Sequence, residues 1–425
     1  MKSDWTSVKL GHITTESIQR AAKNGVIGPV FGVERMAGLT TQPRYVSEHL
    51  DRYKVIKPGM FAYNPMRLNI GSIGYCDDSI PVGLVSPDYV VFGCNDIVIP
   101  DFLSYYIQSP AWSEWVMSAG TGSVRTRIYF SELAKMPLLL PTLGEQIHIT
   151  TTLRALDDKI AANRRISATL DAMAQTIFKS WFVDFDPVHA KAEERIPEGM
   201  DATTAELFPD SFEESDLGLI PKGWNVKPIG DAIKIVGGAT PDTKNSTYWE
   251  PAVHCWATPK DLSGISAPVI LDTERKVSDK GITKIGSGLL PVGTLLLSSR
   301  APIGYLALTQ VPIGINQGYI AIPPGGLLSP LYMLFWCRQN MENIMSRANG
   351  STFMEISKRA FRPIPSIIPS PDIISIFENV VGTLFESLIA CEKEAQSLAT
   401  LRDTLLPRLI SGQLRIPESS ELTLN

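Results

Sequence analysis

The chain has 425 residues, of which 44% are hydrophobic and 20% charged, with a formal net charge of -5 and five cysteines. These values are ordinary for a soluble globular protein of two to three domains. No uninterrupted apolar run approaches the ~18 residues of a membrane span. The first ten residues lack the basic start and apolar core of a signal peptide. Cys76, Cys94, Cys255, Cys337 and Cys391 are scattered with no C-x-x-C pair. That pattern argues against a disulfide framework or a metal cluster and reads as reduced thiols in a cytoplasmic protein.

In chain order, residues 1–145 are rich in Gly, Pro, Val, Ile and Tyr, with short apolar runs such as 84–92 and 96–99 between turn residues. This texture predicts a β-rich domain with a few short helices. One helix is expected over 102–117, where Phe102, Tyr105, Tyr106, Ser109 and Trp112 follow helical spacing. Residues 146–190 carry a long helix, to about residue 185, closed by Asp186-Pro187. Residues 191–220 form an acidic connector with a short helix at Ala202–Leu207. Residues 221–370 repeat the β-rich texture, with 331–345 as the counterpart of 102–117. Residues 371–412 hold a second long helix, from 373 to about 410, and 413–425 are a tail. Pro407 should kink or end that helix, which makes Leu409 a doubtful member, and Ser411-Gly412 is its stop signal.

The chain is therefore written twice. Trp5, Pro58-Gly59, Arg67, Gly71, Ser131 and Pro137 recur as Trp224, Val292-Gly293, Arg300, Gly304, Ser357 and Pro363. Heptad spacing recurs as well. The first seam is Ile149, Leu153, Leu156, Ile160, Asn163, Ser167, Leu170, Ala174, Ile177 and Trp181. The second is Phe377, Val381, Leu384, Leu388, Cys391, Ala395, Leu398, Arg402, Leu405 and Leu409, each 228 residues after its counterpart. Two such helices can pair with each other, and Asn163 in the seam would fix their register. At ~1.5 Å per residue the first would reach ~53 Å from Gln146 to Trp181. That could hold two modules one to one and a half DNA turns of ~34–36 Å apart. Approximate two-fold symmetry suits a molecule that engages two copies of something, or two halves of one site. The alternative is that each helix packs on its own globular domain.

Charge is unevenly spread. Residues 1–145 hold 13 basic and 13 acidic side chains, and 146–190 hold 5 and 5. The connector 191–220 holds 2 and 9, residues 221–370 hold 15 and 9, and residues 371–425 hold 4 and 8. The second β-rich domain is thus basic although the chain is acidic, and local charge on a face is what attracts phosphate.

Several stretches resemble the specificity subunits of type I restriction–modification systems. Residues 174–187, Ala-Gln-Thr-Ile-Phe-Lys-Ser-Trp-Phe-Val-Asp-Phe-Asp-Pro, look like the end of that family's central conserved region. Leu405-Leu406-Pro407-Arg408-Leu409-Ile410-Ser411-Gly412-Gln413-Leu414 resembles its C-terminal signature. Pro141-Thr142-Leu143-Gly144-Glu145-Gln146 resembles the start of its first conserved helix. Gly237-Gly238-Ala239-Thr240-Pro241 followed by Trp256–Ser263, and Gly83–Tyr89, look like parts of target recognition domains. The resemblance covers nearly the whole chain, with one departure: Ser370-Pro371-Asp372-Ile373 lacks the Glu-Gln pair that opens the first helix.

This resemblance implies an α+β protein in which two β-rich target recognition domains, 1–145 and 221–370, are separated by two long antiparallel coiled-coil helices. Each domain would read one half of a bipartite double-stranded DNA target, with the helices setting the gap. The seam residues, Leu153 to Trp181 and Leu384 to Leu405, would support docking of two methyltransferase subunits. Two restriction/translocase subunits would join them. The subunit itself would catalyse nothing and bind no cofactor or metal, its partners using S-adenosylmethionine, ATP and Mg²⁺. It would have no membrane partner.

Candidate DNA contacts follow from side-chain chemistry: base edges need donors and acceptors, and phosphates need Lys, Arg or backbone N–H. Gly120–Arg127 supplies Thr121, Ser123, Arg125 and Arg127 in a glycine-bearing segment, or else is a solvated turn. Its counterpart holds Arg347, Asn349, Ser351, Lys358, Arg359 and Arg362. Arg67 and Arg300 precede glycines at matched positions, as groove contacts or as salt-bridge partners. Thr240, Lys244, Asn245, Lys260, Arg275, Lys276, Lys280 and Lys284 enrich the second domain, or form a solvated face.

Catalytic readings are weak. Asn64-Pro65-Met66-Arg67 is not the Asn/Asp-Pro-Pro-aromatic motif of an adenine methyltransferase. A phosphate-binding loop ending in Gly-Lys-Ser/Thr and a nucleophile-elbow pattern are both missing from the sequence. Asp242 with Glu274, Arg275 and Lys276 could in principle hold Mg²⁺ as a nuclease site. Two non-catalytic alternatives stand beside the main reading. One is a specificity subunit of a related bifunctional restriction–methylation system, which the neighbouring gene would distinguish. The other is a coiled-coil interaction scaffold whose binding would ignore salt.

Overall fold

The computed structural model describes residues 5–21, 28–35, 38–41, 43, 45–119, 127–350 and 354–416. They fall into two compact units, residues 1–159 with 397–425 and residues 160–396.

Both units use one plan. In the first, strand Thr6–Lys9 pairs antiparallel with Pro137–Leu140; in the second, Asn225–Pro228 pairs with Pro365–Ile368. A single helical turn follows each opening strand, Leu10–Ile13 and Ile229–Ala232. The Leu10 and Gly11 amides donate to the carbonyls of Met136 and Ala134 at 2.8 and 2.9 Å, and those of Ile229 and Gly230 to Ile364 and Arg362 at 2.8 and 2.9 Å. A Cβ on either glycine would lie 2.7 Å from the opposing side chain, Ala134 or Arg362, so the close approach requires glycine at both places.

Two small sheets complete each unit. One sheet of the first unit runs Thr14–Glu16, Val90–Cys94, Met60–Tyr63, Ile73–Cys76. Its equivalent begins with a bridge from Val236 and continues Tyr319–Ile322, Leu295–Ser299, Ile303–Thr309, with Val269–Ile270 added at the far edge. The other sheet is Gly38–Thr40, Val30–Glu34, Gly83–Val85, Lys54–Ile56, matched by Arg275–Val277, His254–Ala257, Ile313–Ile315 and a bridge from Leu290. The central pair of this sheet is parallel in both units. Strand Leu295–Ser299 is buried throughout, which explains its continuous run of leucines. The apolar run 84–92 serves both sheets of the first unit, turning at the Tyr89 N–H to Ser86 carbonyl bond of 3.1 Å. The run 96–99 forms no strand and instead leads into a helix.

Several helix boundaries differ from the sequence reading. The helix expected over 102–117 is two, Pro100–Tyr106 and Pro110–Ala119, because Pro110 disfavours a helical residue before it and starts a new helix. The segment 331–345 likewise splits into Pro330–Gln339 and Met341–Ser346. The first long helix is Leu143–Phe182 rather than 146 to about 185, and Asp186-Pro187 opens the next helix, Asp186–Ala192, instead of closing the long one. Between them Phe185 takes a left-handed conformation, φ 56°. The second long helix is Pro371–Ile410 and continues through Pro407. A proline so near the C-terminal end removes one hydrogen bond from a turn that frays anyway. Gly412, at φ 72°, follows as the stop residue.

None of the seam positions of either long helix is exposed. In the second unit Phe178 and Trp181 meet Phe377, with ring centroids 5.8 and 6.2 Å apart, and Asn163 donates to Glu394 Oε2 at 2.8 Å. In the first unit Arg402 Nη1 lies 2.6 Å from Asp157 Oδ1. Rising numbers on one helix meet falling numbers on the other, so the pairing is antiparallel. Asn163 is 1% exposed, and its amide has a partner in one register only. Leu409, doubtful from sequence, is 1% exposed and packs in the first unit's core.

The second long helix also bears on the membrane reading. By length and composition it could cross a membrane, since an 18-residue window averages a hydropathy of 1.6, although Glu378 and Glu386 interrupt any continuous apolar run. Its apolar residues Ile373, Phe377, Val381, Phe385 and Leu388 are buried in the second unit's core. The acidic connector is more structured than a linker. Its helix Ala202–Leu207 is capped by Asp201, a hairpin pairs Phe212–Ser215 with Gly218–Pro221, and Phe208 and Ile220 join that same core. All five cysteines are free.

Candidate nucleic-acid interface

In the first unit, strand Met60–Tyr63 ends in a tight turn at Asn64. The Asn64 side chain accepts the Met66 amide at 3.0 Å, and the Arg67 amide donates to the Asn64 carbonyl at 2.9 Å. Gly71, at φ 84°, closes this turn. Arg67 is therefore held on a rigid corner with an exposed side chain. It lines an open groove of about 740 Å³ together with Arg35, Arg52, His49, Tyr45 and Tyr89. The Ile128 amide donates to the Pro65 carbonyl at 3.0 Å, which brings the exposed Arg127 to the same corner, hydrogen-bonded to the Tyr129 hydroxyl at 3.2 Å. Thr121, Ser123 and Arg125 lie outside the described residues, as does Ser351.

The second unit builds the equivalent corner. The Ile356 amide donates to the Ser299 carbonyl at 3.0 Å, the counterpart of the Ile128 bond, and Asn349 and Glu355 exchange backbone bonds of 3.0 Å. Arg300, 34% exposed at its side chain, faces Glu355 at 3.6 Å, so this arginine has the salt-bridge partner that was one of its two readings. Lys358 reaches over Gly237, where a Cβ would come within 2.8 Å of its ammonium nitrogen. Arg347 is tied to Asn343 at 3.0 Å.

The segment Gly237–Pro241 runs beside strand Ile313–Ile315. The Ala239 amide donates to the Ile315 carbonyl at 3.0 Å. The exposed Thr240 hydroxyl donates to the exposed Gln317 side chain at 2.7 Å. Lys260 pairs with Glu274 at 2.7 Å across exposed surface, and that hydrogen bond raises the ammonium pKa. Such a pair is readily exchanged for a phosphate. Lys284 sits 5.6 Å over the Tyr248 ring, while Lys244 and Lys280 are exposed nearby in the chain. Arg275 lies 3.8 Å over Trp249 and 5.0 Å from Trp256. Burial by itself would raise the Asp272 carboxyl, but bonds from Lys276, the Thr273 amide and Cys255 hold it below its ordinary value. Lys276 is correspondingly raised by Asp272, 2.7 Å away.

The residues weighed for Mg²⁺ thus go to separate partners. Asp242 caps the Lys244 amide, Glu274 holds Lys260, Lys276 holds Asp272 and Arg275 stacks on tryptophan. Sequence reasoning missed Tyr248, Trp249 and Gln317, and Arg35, Arg52, His49, Tyr45 and Tyr89 in the first unit. Only the basic residues among these stand out by charge. The pairing of Trp249 with Arg275 has no local signature.

One domain plan is used twice in this chain, each copy carrying a polar and basic corner at a matched place and a part of the two long antiparallel helices. Residues 221–389 match the family model of the type I restriction modification DNA specificity domain. Over 97% of its length the chain is 26% identical to the HindI specificity subunit of Haemophilus influenzae, spanning all of that protein. It is 37% identical to the MjaIX specificity subunit of Methanocaldococcus jannaschii over 40% of this chain and 41% of that one. The crystal structure of the type I restriction-modification S subunit from M. genitalium shares the fold, with a TM-score of 0.56 at 14% identity over 99% of this chain and 98% of that one. Residues 221–389 thus carry a type I restriction modification DNA specificity domain, and the chain along nearly its whole length is similar to a type I specificity subunit.

Proposed function

We propose that this protein is the non-catalytic DNA-recognition subunit of a type I restriction–modification complex. The duplication carries this reading: two domains of one topology, each with an arginine-bearing corner, match a target made of two half-sites. Each unit would read one half, and the paired helices would set the unspecified gap. Two methyltransferase subunits would dock on those helices, and two restriction/translocase subunits would complete the assembly in the cytoplasm. S-adenosylmethionine, ATP and Mg²⁺ belong in this scheme to the partners. Phosphate contacts come from Arg67, Arg127, Lys244, Lys260, Lys280, Lys284 and Lys358, and base contacts from the polar corners.

The test is a methylome. The chain is co-expressed with its neighbouring methyltransferase and modified adenines are mapped genome-wide. The expected result is a split motif, two short blocks with a fixed gap, that vanishes when this chain is omitted. Modification that persists without the chain would refute the reading.

A further inference from the structure

Among the described cations of the second unit, Arg275 is the arginine stacked on tryptophan. Three carboxylates flank it in the chain, and each is already engaged: Asp272 with Lys276, Glu274 with Lys260, and Asp279 with His254 at 2.7 Å. Among the described residues the Arg275 guanidinium has no hydrogen-bond acceptor and no ion-pair partner, although its side chain is exposed. Two rings define its plane. Trp249 and Trp256 meet edge to face at 5.2 Å, and their indole N–H groups are anchored to the carbonyls of Asp242 and Ala239 at 3.1 and 3.3 Å. Strand Arg275–Val277 pairs with His254–Ala257 and so places the backbone of Arg275 opposite Trp256. The result is a guanidinium held on a fixed aromatic platform, with its donors open and the cation Lys284 on the adjoining Tyr248 ring.

A planar fork of N–H donors fits the O6 and N7 acceptors of guanine bidentately; a phosphate takes the same fork but is served as well by the point charge of a lysine, so fixing the plane of the fork matters most for a base edge. The platform also lowers the conformational entropy lost on contact, because the side chain is already ordered. We infer that Arg275 reads one guanine in the half-site recognised by the second domain, and that Trp249 is its positioning residue. This inference rests on the DNA-recognition reading above.

The experiment compares the wild-type chain with R275K and W249L by methylome, each co-expressed with the neighbouring methyltransferase. R275K keeps the charge and loses the fork. It should relax one G·C position of one half-site by about 10- to 100-fold, the span of a good bidentate contact, with the other half-site and the gap unchanged. W249L should relax the same position to a smaller degree. The intact second block in the same reads reports a folded, docked chain. Binding of the purified wild-type complex to duplexes with 7-deazaguanine at that position supplies an independent readout: affinity should fall for the wild type and not for R275K. Should R275K abolish all methylation, the wild-type response to 7-deazaguanine at each guanine of that half-site decides alone. An unchanged motif, a wild type indifferent to every such substitution, or a uniform loss across all sequences with the salt slope shallower by about one would overturn the inference, the last assigning Arg275 to a phosphate. A wild-type chain that directs no split motif would instead overturn the DNA-recognition reading itself.

Discussion

Gln146 and Ile374 occupy matched positions in the first turns of the two long helices, and their difference explains the missing Glu-Gln pair of the second copy. Gln146 is fully buried; its side chain accepts the Ile99 amide at 2.8 Å and donates to the carbonyls of Ile97 and Pro141 at 3.1 and 3.0 Å. Ile374 lies in the apolar core of the second unit instead. The repeat conserves the position and exchanges a polar tie for apolar packing. Gly238 is the more sensitive residue. A Cβ there would lie 1.9 Å from the Ile315 carbonyl oxygen and 2.5 Å from that of Asn316, both backbone atoms in or beside a buried strand. Gly238→Ala should therefore destabilise the protein by about 1–3 kcal/mol or more, whereas Gly264→Ala, with open space around it, should change little. Thermal unfolding of both variants checks this, and equal midpoints would show that the Gly238 segment moves freely aside.

The long helices show which elements a sequence can specify alone. A heptad seam is a local pattern, and both helices have no exposed seam residue. Their ends and the short helices were less legible, because Pro110 and the left-handed Phe185 redirect the chain where side-chain periodicity continues. Helix length also makes a prediction. Seven residues inserted after Lys159 in the first helix, with seven inserted at the facing point after Gln396 in the second, keep the seam in phase and add ~10 Å at 1.5 Å per residue. The unspecified gap in the methylated motif should lengthen by about three base pairs, at ~3.4 Å each along one strand. Four residues inserted at the same points would leave Asn163 on Glu394 but break the heptad phase of the seam across the junction, and should instead abolish methylation. An unchanged gap in the seven-residue variant would remove the spacer role.

At the scale of the whole molecule, duplication implies modular readout. Exchanging residues 1–145 for the equivalent domain of a relative should change one block of the motif and leave the other and the gap intact; a change in both blocks would count against it. Binding should weaken steeply with salt, as phosphate-dominated association does, while a protein-scaffold function would be nearly indifferent to it. The repeat, the helix pair and the basic second domain were all readable from the chain, because each is carried by residue spacing and charge along it. The folding of residues 1–145 and 221–370 into two small sheets with a parallel central pair was not, since those pairings join strands tens of residues apart. For the same reason only the tertiary structure brought Thr240 to Gln317 and Arg275 to Trp249, 77 and 26 residues distant. Local periodicity records which face of an element is buried; which polar side chains meet at a corner depends on contacts between strands whose order no local pattern encodes.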